Sequence, residues 1–426
     1  MQYGVDLESI LALESSAIKF GEGATAELGY EVKKRGCRRV LLLTDKRLAT
    51  LLPVEQAIDS LSSESIKVTV FNKVEVEPTD QSFMAAADFA TSGSFDGFVA
   101  VGGGSVIDTA KAANLYSSYP ADFLTYVNKP VGKGVPVPGP CKPLFAVPTT
   151  AGTGSETTGV AIFDFLEMHT KTGISSRELR PVLGIVDPNH TKTLPPMVAA
   201  SSGFDVLSHA LESYTALPFS ERLSPDSPIE RPSYQGSNPI SDVWALKAIE
   251  MVSKNMYTAV TNSQNDFARN QMMLAATMAG IGFGNAGCHL PHGMSYPVSG
   301  MVRSYSPEGY DNQAIVPHGM SVILNAPAVF RFTADTNLNR HQRAATIMGQ
   351  TVENQANAGE LLAKAIIELM KLLDMPNGLS AVGYSEKDVP LLVKNTLPQQ
   401  RVIGLSPKPV GAKELELLFS ESMRLW

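Results

Sequence analysis

The chain has 426 residues, more than one ordinary core needs, so two domains are expected. A net charge of −7 and the lack of any Lys/Arg-rich run argue against a nucleic-acid surface. No apolar stretch is long and clean enough to span a bilayer, no basic segment followed by an apolar core opens the chain, and three cysteines (Cys37, Cys141, Cys288) without a CxxC pair fit a reducing compartment.

In chain order, the first 190 or so residues alternate strand-like and helix-like patterns. RVLLLTD (39–45) is an apolar run ending in a polar turn. VEQAIDSLSS reads as a helix, IKVTVFN (66–72) as a β-branched strand and SFMAAADFAT as a second helix. DGFVAVGGGS (96–105) is a buried-type strand running into glycines, and PLFAVPTT (143–150) is another short strand. TTGVAIFD and PVLGIVDP add β character. This alternation predicts a parallel sheet covered by helices. From about 190–200 onward the apolar spacing turns helical, in SGFDVLSHALESYTA, ISDVWALKAIEMVSKNM, FARNQMMLAATMAGIGF, GELLAKAIIELMKLL and KDVPLLVKNTL. Between them, PFSERLSPDSPIERPSYQGSNP (218–239) is expected to be a long surface loop.

Three glycines, Gly102, Gly103 and Gly104, sit between a strand and a helix opened by Ser105. Such a turn lets backbone N–H groups approach a phosphate, although GGGS is not the usual GxGxxG spacing and a plain strand-to-helix turn is an equal reading. Asp45, at the end of an earlier strand, suits ribose hydroxyls and would repel a 2′-phosphate, which favours NAD over NADP. VPTTAGTGSETT (147–158) offers Thr149, Thr150 and Thr153 to a pyrophosphate or ribose; each alone is an ordinary turn or cap residue.

Asp205 and His209 stand four residues apart in GFDVLSHALE, on one helical face. Three of the seven histidines crowd into a short glycine- and proline-broken stretch: His289 and His292 in GCHLPHGMSYP, and His318 in VPHGM. One Asp with three His suits Zn²⁺ or Fe²⁺ and leaves room for a substrate oxygen. His289 competes with His292, and spacing leaves the choice open. His169, His190 and His341 lie outside the cluster and read as surface or structural residues. An NAD site with an open metal site implies hydride transfer to or from an alcohol carbon. No nucleophile motif competes, since GTGSE is not GxSxG.

At these residues the sequence resembles the iron-containing (group III) alcohol dehydrogenase family. The resemblance rests on GGGSVIDTAKA (102–112), VPTTAGTGSE (147–156), GIVDP (184–188), SGFDVLSHALESY (202–214) and PHG (317–319). It implies an α/β nucleotide-binding domain with a parallel sheet over residues 1–195. An all-helical metal-binding domain would follow over 196–426, in the dehydroquinate synthase-like arrangement. Mapped by motif, the metal ligands fall on Asp205, His209, His292 and His318, so the resemblance selects His292 over His289. The implied cofactor set is Asp45, Gly102, Gly103, Gly104, Ser105, Asp108, Thr149, Thr150, Thr153 and Lys171. Most members carry a further His where this chain has Tyr296; its hydroxyl stands in as the expected catalytic group, beside His318.

Further similarity, in VEPTDQSFM (76–84), ERPSYQGSNPISDVWA (230–245), FGNAGCHL (283–290), HGMSYPVSGMV (292–302) and AVGYSEKDVPLLVKNTLPQQRV (381–402), is to the family's transhydrogenase branch. That branch oxidises 4-hydroxybutyrate to succinate semialdehyde, reduces 2-oxoglutarate to 2-hydroxyglutarate and keeps NAD bound between the two steps. It implies small hydroxy- and oxo-acid partners, with no nucleic acid and no membrane. A homo-oligomer is compatible with it, and the location is the mitochondrial matrix in a eukaryote and the cytoplasm otherwise. Both substrates carry carboxylates, so a cationic patch is expected, with Arg222 and Arg231 in the long loop as candidates. The alternatives are an ordinary NAD-dependent alcohol dehydrogenase, a metal-dependent lyase on the same scaffold and a non-catalytic nucleotide binder.

Overall fold

Continuous apolar runs, rather than alternating ones, mark strands covered on both faces, and that is how they fold here. The computed structural model describes residues 6–426 except 169, 311, 312, 352 and 354. Two units share the chain: Ser15–Leu194 with Asn262–Gly280, and Met1–Glu14 with Pro195–Thr261 and Ile281–Trp426. This differs from a single cut after residue 195. The first residues join the helical unit, and a stretch beyond 260 joins the α/β unit.

The strands of the α/β unit are β1 (Ala17–Phe20), β2 (Arg39–Asp45), β3 (Lys67–Val74), β4 (Gly97–Gly102), β5 (Leu144–Pro148), β6 (Val160–Phe165), β7 (Thr170–Ser175) and β8 (Leu183–Val186). Six of them form one sheet in the order β1-β8-β5-β4-β2-β3, and each neighbouring pair is parallel. β6 and β7 form a separate antiparallel pair. The helices are α1 (Leu28–Lys34), α2 (Leu52–Ser63), α3 (Asp80–Ser92) and α4 (Gly104–Ser118). Alternate residues of β2 and β4 pack to opposite sides: Val40, Leu42, Val99 and Val101 against α1 and α2, and Leu41, Leu43, Phe98 and Ala100 against α3 and α4.

After β2 the chain adds β3 on one side, then returns to place β4 on the other. Such a reversal opens a crevice outside the carboxyl ends of the two strands. Asp45 ends β2, Gly102 ends β4 and Thr149 follows β5, so all three lie along that edge. The Thr149 N–H donates to the Gly102 carbonyl at 3.1 Å.

The helical unit contains α5 (Pro196–Thr215), α6 (Pro239–Thr261), the end of α7 (Asp266–Ala286), α8 (Leu290–Gly300), α9 (His318–Ile323), α10 (Ala326–Thr333), α11 (Leu338–Ile347), α12 (Ala358–Leu372), α13 (Val389–Thr396), α14 (Gln400–Ile403) and α15 (Ala412–Ser422). The expected surface loop over 218–239 is only partly one, because Tyr234, Gln235, Ser237 and Asn238 are buried. The Asn238 carboxamide accepts from the Ser241 N–H at 2.9 Å and so caps the start of α6. Among the described residues no helix is long and apolar enough to cross a membrane.

Candidate active site

In the α/β unit, helix α4 starts at Gly104 with Gly103 as its cap, one residue earlier than expected. The Val106 and Ile107 N–H groups donate back to the Gly103 carbonyl at 3.0 and 3.2 Å, and the N–H groups ahead of them precede the first intrahelical bond. Neither Gly103 nor Gly104 has a left-handed φ. Their glycine requirement is one of space: a Cβ on Gly103 would stand 3.2 Å from Thr150 Oγ1, and one on Gly104 would press on the Thr153 side chain at 2.5 Å. The glycine turn and two of the expected threonines are thus brought together, and Thr149 is buried beside them.

Other residues expected at the cofactor are held by protein groups. Asp45 Oδ1 accepts from the Arg47 and Leu48 N–H groups, both at 2.8 Å, and fixes the turn after β2. Ser105 Oγ accepts from the Glu77 N–H at 3.2 Å. Asp108 accepts from Ser155 Oγ at 2.5 Å and from the Ile162 N–H at 2.9 Å, which ties α4 to β6. Lys171 is buried between Glu77 and Asp164, at 2.6 and 2.9 Å. Burial opposes the Lys171 charge, but these two carboxylates outweigh it and raise the pKa. Lys111, unflagged in the sequence, is also fully buried. Its Nζ donates to Ser155 Oγ at 2.5 Å and to the Val160 carbonyl at 2.7 Å.

In the helical unit, α5 carries Asp205, His209 and Glu212, at i, i+4 and i+7 on one face. Helix α8 supplies His292, and α9 begins with His318. Nε2 atoms of three imidazoles surround Asp205 Oδ1: His292 at 3.5 Å, His209 at 3.8 Å and His318 at 3.8 Å. An ion with bonds of about 2.1 Å in a tetrahedral site sets its ligands roughly 3.4 Å apart. Asp205 Oδ1 and His292 Nε2 are buried with no hydrogen-bond partner among the described residues. Such orphaned acceptors, gathered at one point, fit a cation. The pKa of His209 is pushed down to about 3, chiefly by burial, which keeps it neutral and ready to donate a lone pair.

Glu212 completes the cluster. Its Oε1 lies 2.6 Å from His292 Nδ1, and its Oε2 accepts from the His289 N–H at 2.8 Å. A proton held on Nδ1 by this carboxylate leaves Nε2 to face Asp205. His289 points elsewhere: its Nε2 lies 3.0 Å from Thr215 Oγ1 and its ring meets Phe330 edge-on. Cys288 forms a second potential ligand group with His209 and His292. Burial pushes its thiol up to about 11 in the metal-free protein. His190 and His341 are buried against Thr25 and Thr333, and His169 lies outside the described residues.

Tyr296 stands one turn after His292 in α8, with its ring centroid 6.5 Å from that of His318. Its hydroxyl accepts from Arg401 Nη2 at 3.1 Å. The loop arginines do not form the expected patch. Arg222 donates to the Tyr234 carbonyl at 3.0 Å, and Arg231 pairs with Glu8 at 3.0 Å.

Residues 15–188 match the family described as iron-containing alcohol dehydrogenase, and residues 229–423 match its C-terminal counterpart. The chain is 53% identical over 416 residues to a Bos taurus protein named hydroxyacid-oxoacid transhydrogenase, mitochondrial, covering 96% of this chain and 89% of that one. A Dictyostelium discoideum protein named probable hydroxyacid-oxoacid transhydrogenase, mitochondrial, is 53% identical over 435 residues, covering 97% and 80%. Among solved structures, a 1,3-propanediol oxidoreductase superposes with a TM-score of 0.85 at 26% identity, covering 97% of this chain and all of that one.

Proposed function

The chain belongs to the iron-containing alcohol dehydrogenase family, and from that premise we propose that it is a hydroxyacid-oxoacid transhydrogenase. It oxidises 4-hydroxybutyrate to succinate semialdehyde and reduces 2-oxoglutarate to 2-hydroxyglutarate, with the hydride parked on a nicotinamide that does not leave. The observation that carries this reading is the gathering of three imidazoles on Asp205 Oδ1, in a chain 53% identical to proteins bearing that name.

Asp205, His209, His292 and His318 would hold Fe²⁺ or Zn²⁺, which supplies Lewis acidity to the alcohol or carbonyl oxygen. Gly102, Gly103 and Gly104 would let the first turn of α4 approach the NAD pyrophosphate, with Thr150 and Thr153 beside it. Asp45, a negative charge at the end of β2, suits the ribose hydroxyls of NAD and disfavours NADP. Ser105, Asp108 and Lys171 would act through the protein, by fixing α4, β6 and β7 around the nucleotide. The Tyr296 hydroxyl, which accepts from Arg401, keeps its own proton to donate toward the substrate. The alcohol proton released in the first half-reaction is taken up again in the second, so the cycle consumes neither proton nor free cofactor. In a eukaryote the enzyme would work in the mitochondrial matrix, its relatives being named mitochondrial; a homo-oligomer is compatible with this reading.

The test is oxidation of 4-hydroxybutyrate dependent on 2-oxoglutarate, with no added NAD. Turnover is expected. A requirement for free NAD would point instead to an ordinary alcohol dehydrogenase.

A further inference from the structure

Both proposed substrates share a spacing. In 4-hydroxybutyrate two methylenes separate the carbinol carbon from the carboxylate, and in 2-oxoglutarate two methylenes separate the keto carbon from the distal carboxylate. One cation at one fixed distance from the reacting carbon could therefore read both acids. Arg222 and Arg231 are spent on Tyr234 and Glu8.

Arg401 differs from them. Its Nη2 donates to the Tyr296 hydroxyl, and its guanidinium lies over the Tyr234 ring, 4.8 Å from the centroid. Its Nη1 is out of contact with solvent and has no hydrogen-bond partner among the described residues. Among those residues no carboxylate forms an ion pair with it. A half-buried guanidinium with a shielded, unpartnered Nη1 and no anion is costly, and a bidentate carboxylate is the ligand its planar fork fits. Tyr296 sets its location, one turn from His292 and with its ring 6.5 Å from that of His318. Gly293 holds this arrangement together, since a Cβ there would collide with Ile403 in the same short helix as Arg401. Tyr234, Tyr296 and Arg401 come from three of the segments that carry the transhydrogenase resemblance: 230–245, 292–302 and 381–402.

We propose that Arg401, steadied by Tyr234 and Tyr296, binds the carboxylate two methylenes from the reacting carbon in both substrates, and so selects ω-hydroxy acids over plain alcohols. The inference rests on the function proposed above.

Two measurements on the metal-loaded holoenzyme test it. The first is kcat/KM for 4-hydroxybutyrate relative to 1-butanol. The second is calorimetric binding of succinate, which has the same two methylenes and no oxidisable carbon. In Arg401→Gln the kcat/KM ratio should fall on the order of a hundredfold, and succinate should bind correspondingly more weakly. Arg401→Lys keeps the charge without the fork and should fall between the two. It also serves as the probe if the glutamine variant does not fold. A ratio within threefold of wild type in the folded variants, or equal losses on both substrates with succinate affinity unchanged, would overturn the proposal. A wild-type protein that ignores 4-hydroxybutyrate but binds succinate through Arg401 would overturn the transhydrogenase reading and leave the carboxylate subsite standing.

Discussion

Glu212 decides which nitrogen His292 presents. Its carboxylate is fully buried; burial alone would raise its pKa, but His292 beside it and the His289 N–H hold it low. Glu212→Gln keeps the volume and weakens that grip. Metal affinity should drop about 10- to 100-fold, as measured by competition with a chelator, while the thermal midpoint of the metal-free protein moves little. Unchanged affinity would show that the cluster does not need this orientation. Nearby, His289 gives a pH signature. Burial pushes its pKa down to about 4 from 6.5. The unfolded chain therefore takes up this proton first as pH falls, so stability is full above 6.5 and drains between 6.5 and 4. The loss is on the order of 3 kcal/mol. Thermal midpoints measured from pH 7.5 to 4.5 should fall less steeply in His289→Gln than in wild type; equal slopes would contradict this. Asp205 and His209 were legible because a helical i, i+4 pair of potential ligands is visible in one line of sequence. Glu212 continues the same stripe at i+7 and could have been found by extending it. Arg401 and Cys288 carried no such signal, because their importance comes from residues far away in the chain. The Arg222 and Arg231 reading failed because loop arginines can be consumed by local partners, here a backbone carbonyl and Glu8.

At the scale of elements, the repeated HGM triplets have a packing explanation. Gly319 lets α9 lie against α5, since a Cβ there would strike the Ser201 carbonyl and press on Asp205 Cβ. This contact sets His318 beside Asp205. Gly319→Ala should cost about 1–3 kcal/mol in thermal or denaturant unfolding, and it should lower the metal content of the purified protein. Wild-type stability and full metal content would show that the helices have slack. The glycine turn after β4 follows the same logic through Thr150 and Thr153. Strands β2, β3, β4 and β5 were legible as apolar or β-branched runs. β1 was not, because its four residues include no fully buried position. β7 (TKTGIS) hides for the opposite reason: it is polar in sequence yet largely buried, with Lys171 sustained by two carboxylates.

For the whole molecule, the alternation of strands and helices followed by helical spacing correctly foretold an α/β unit and a helical unit. It could not foretell that Met1–Glu14 joins the helical unit, or that Asn262–Gly280 joins the other. Such exchanges are made by long-range contacts: the Ala12 N–H donates to Gln235 Oε1 at 2.9 Å, and Thr277 Oγ1 donates to Glu156 at 2.9 Å. Function at this scale is the retention of nicotinamide while two different acids come and go. The most direct measurement of that claim uses 4-hydroxybutyrate deuterated at C4, mixed with 2-oxoglutarate and the metal-loaded protein without added NAD. With nicotinamide retained, the 2-hydroxyglutarate formed should bear deuterium at C2. Unlabelled 2-hydroxyglutarate, or no 2-hydroxyglutarate until free NAD is supplied, would contradict it.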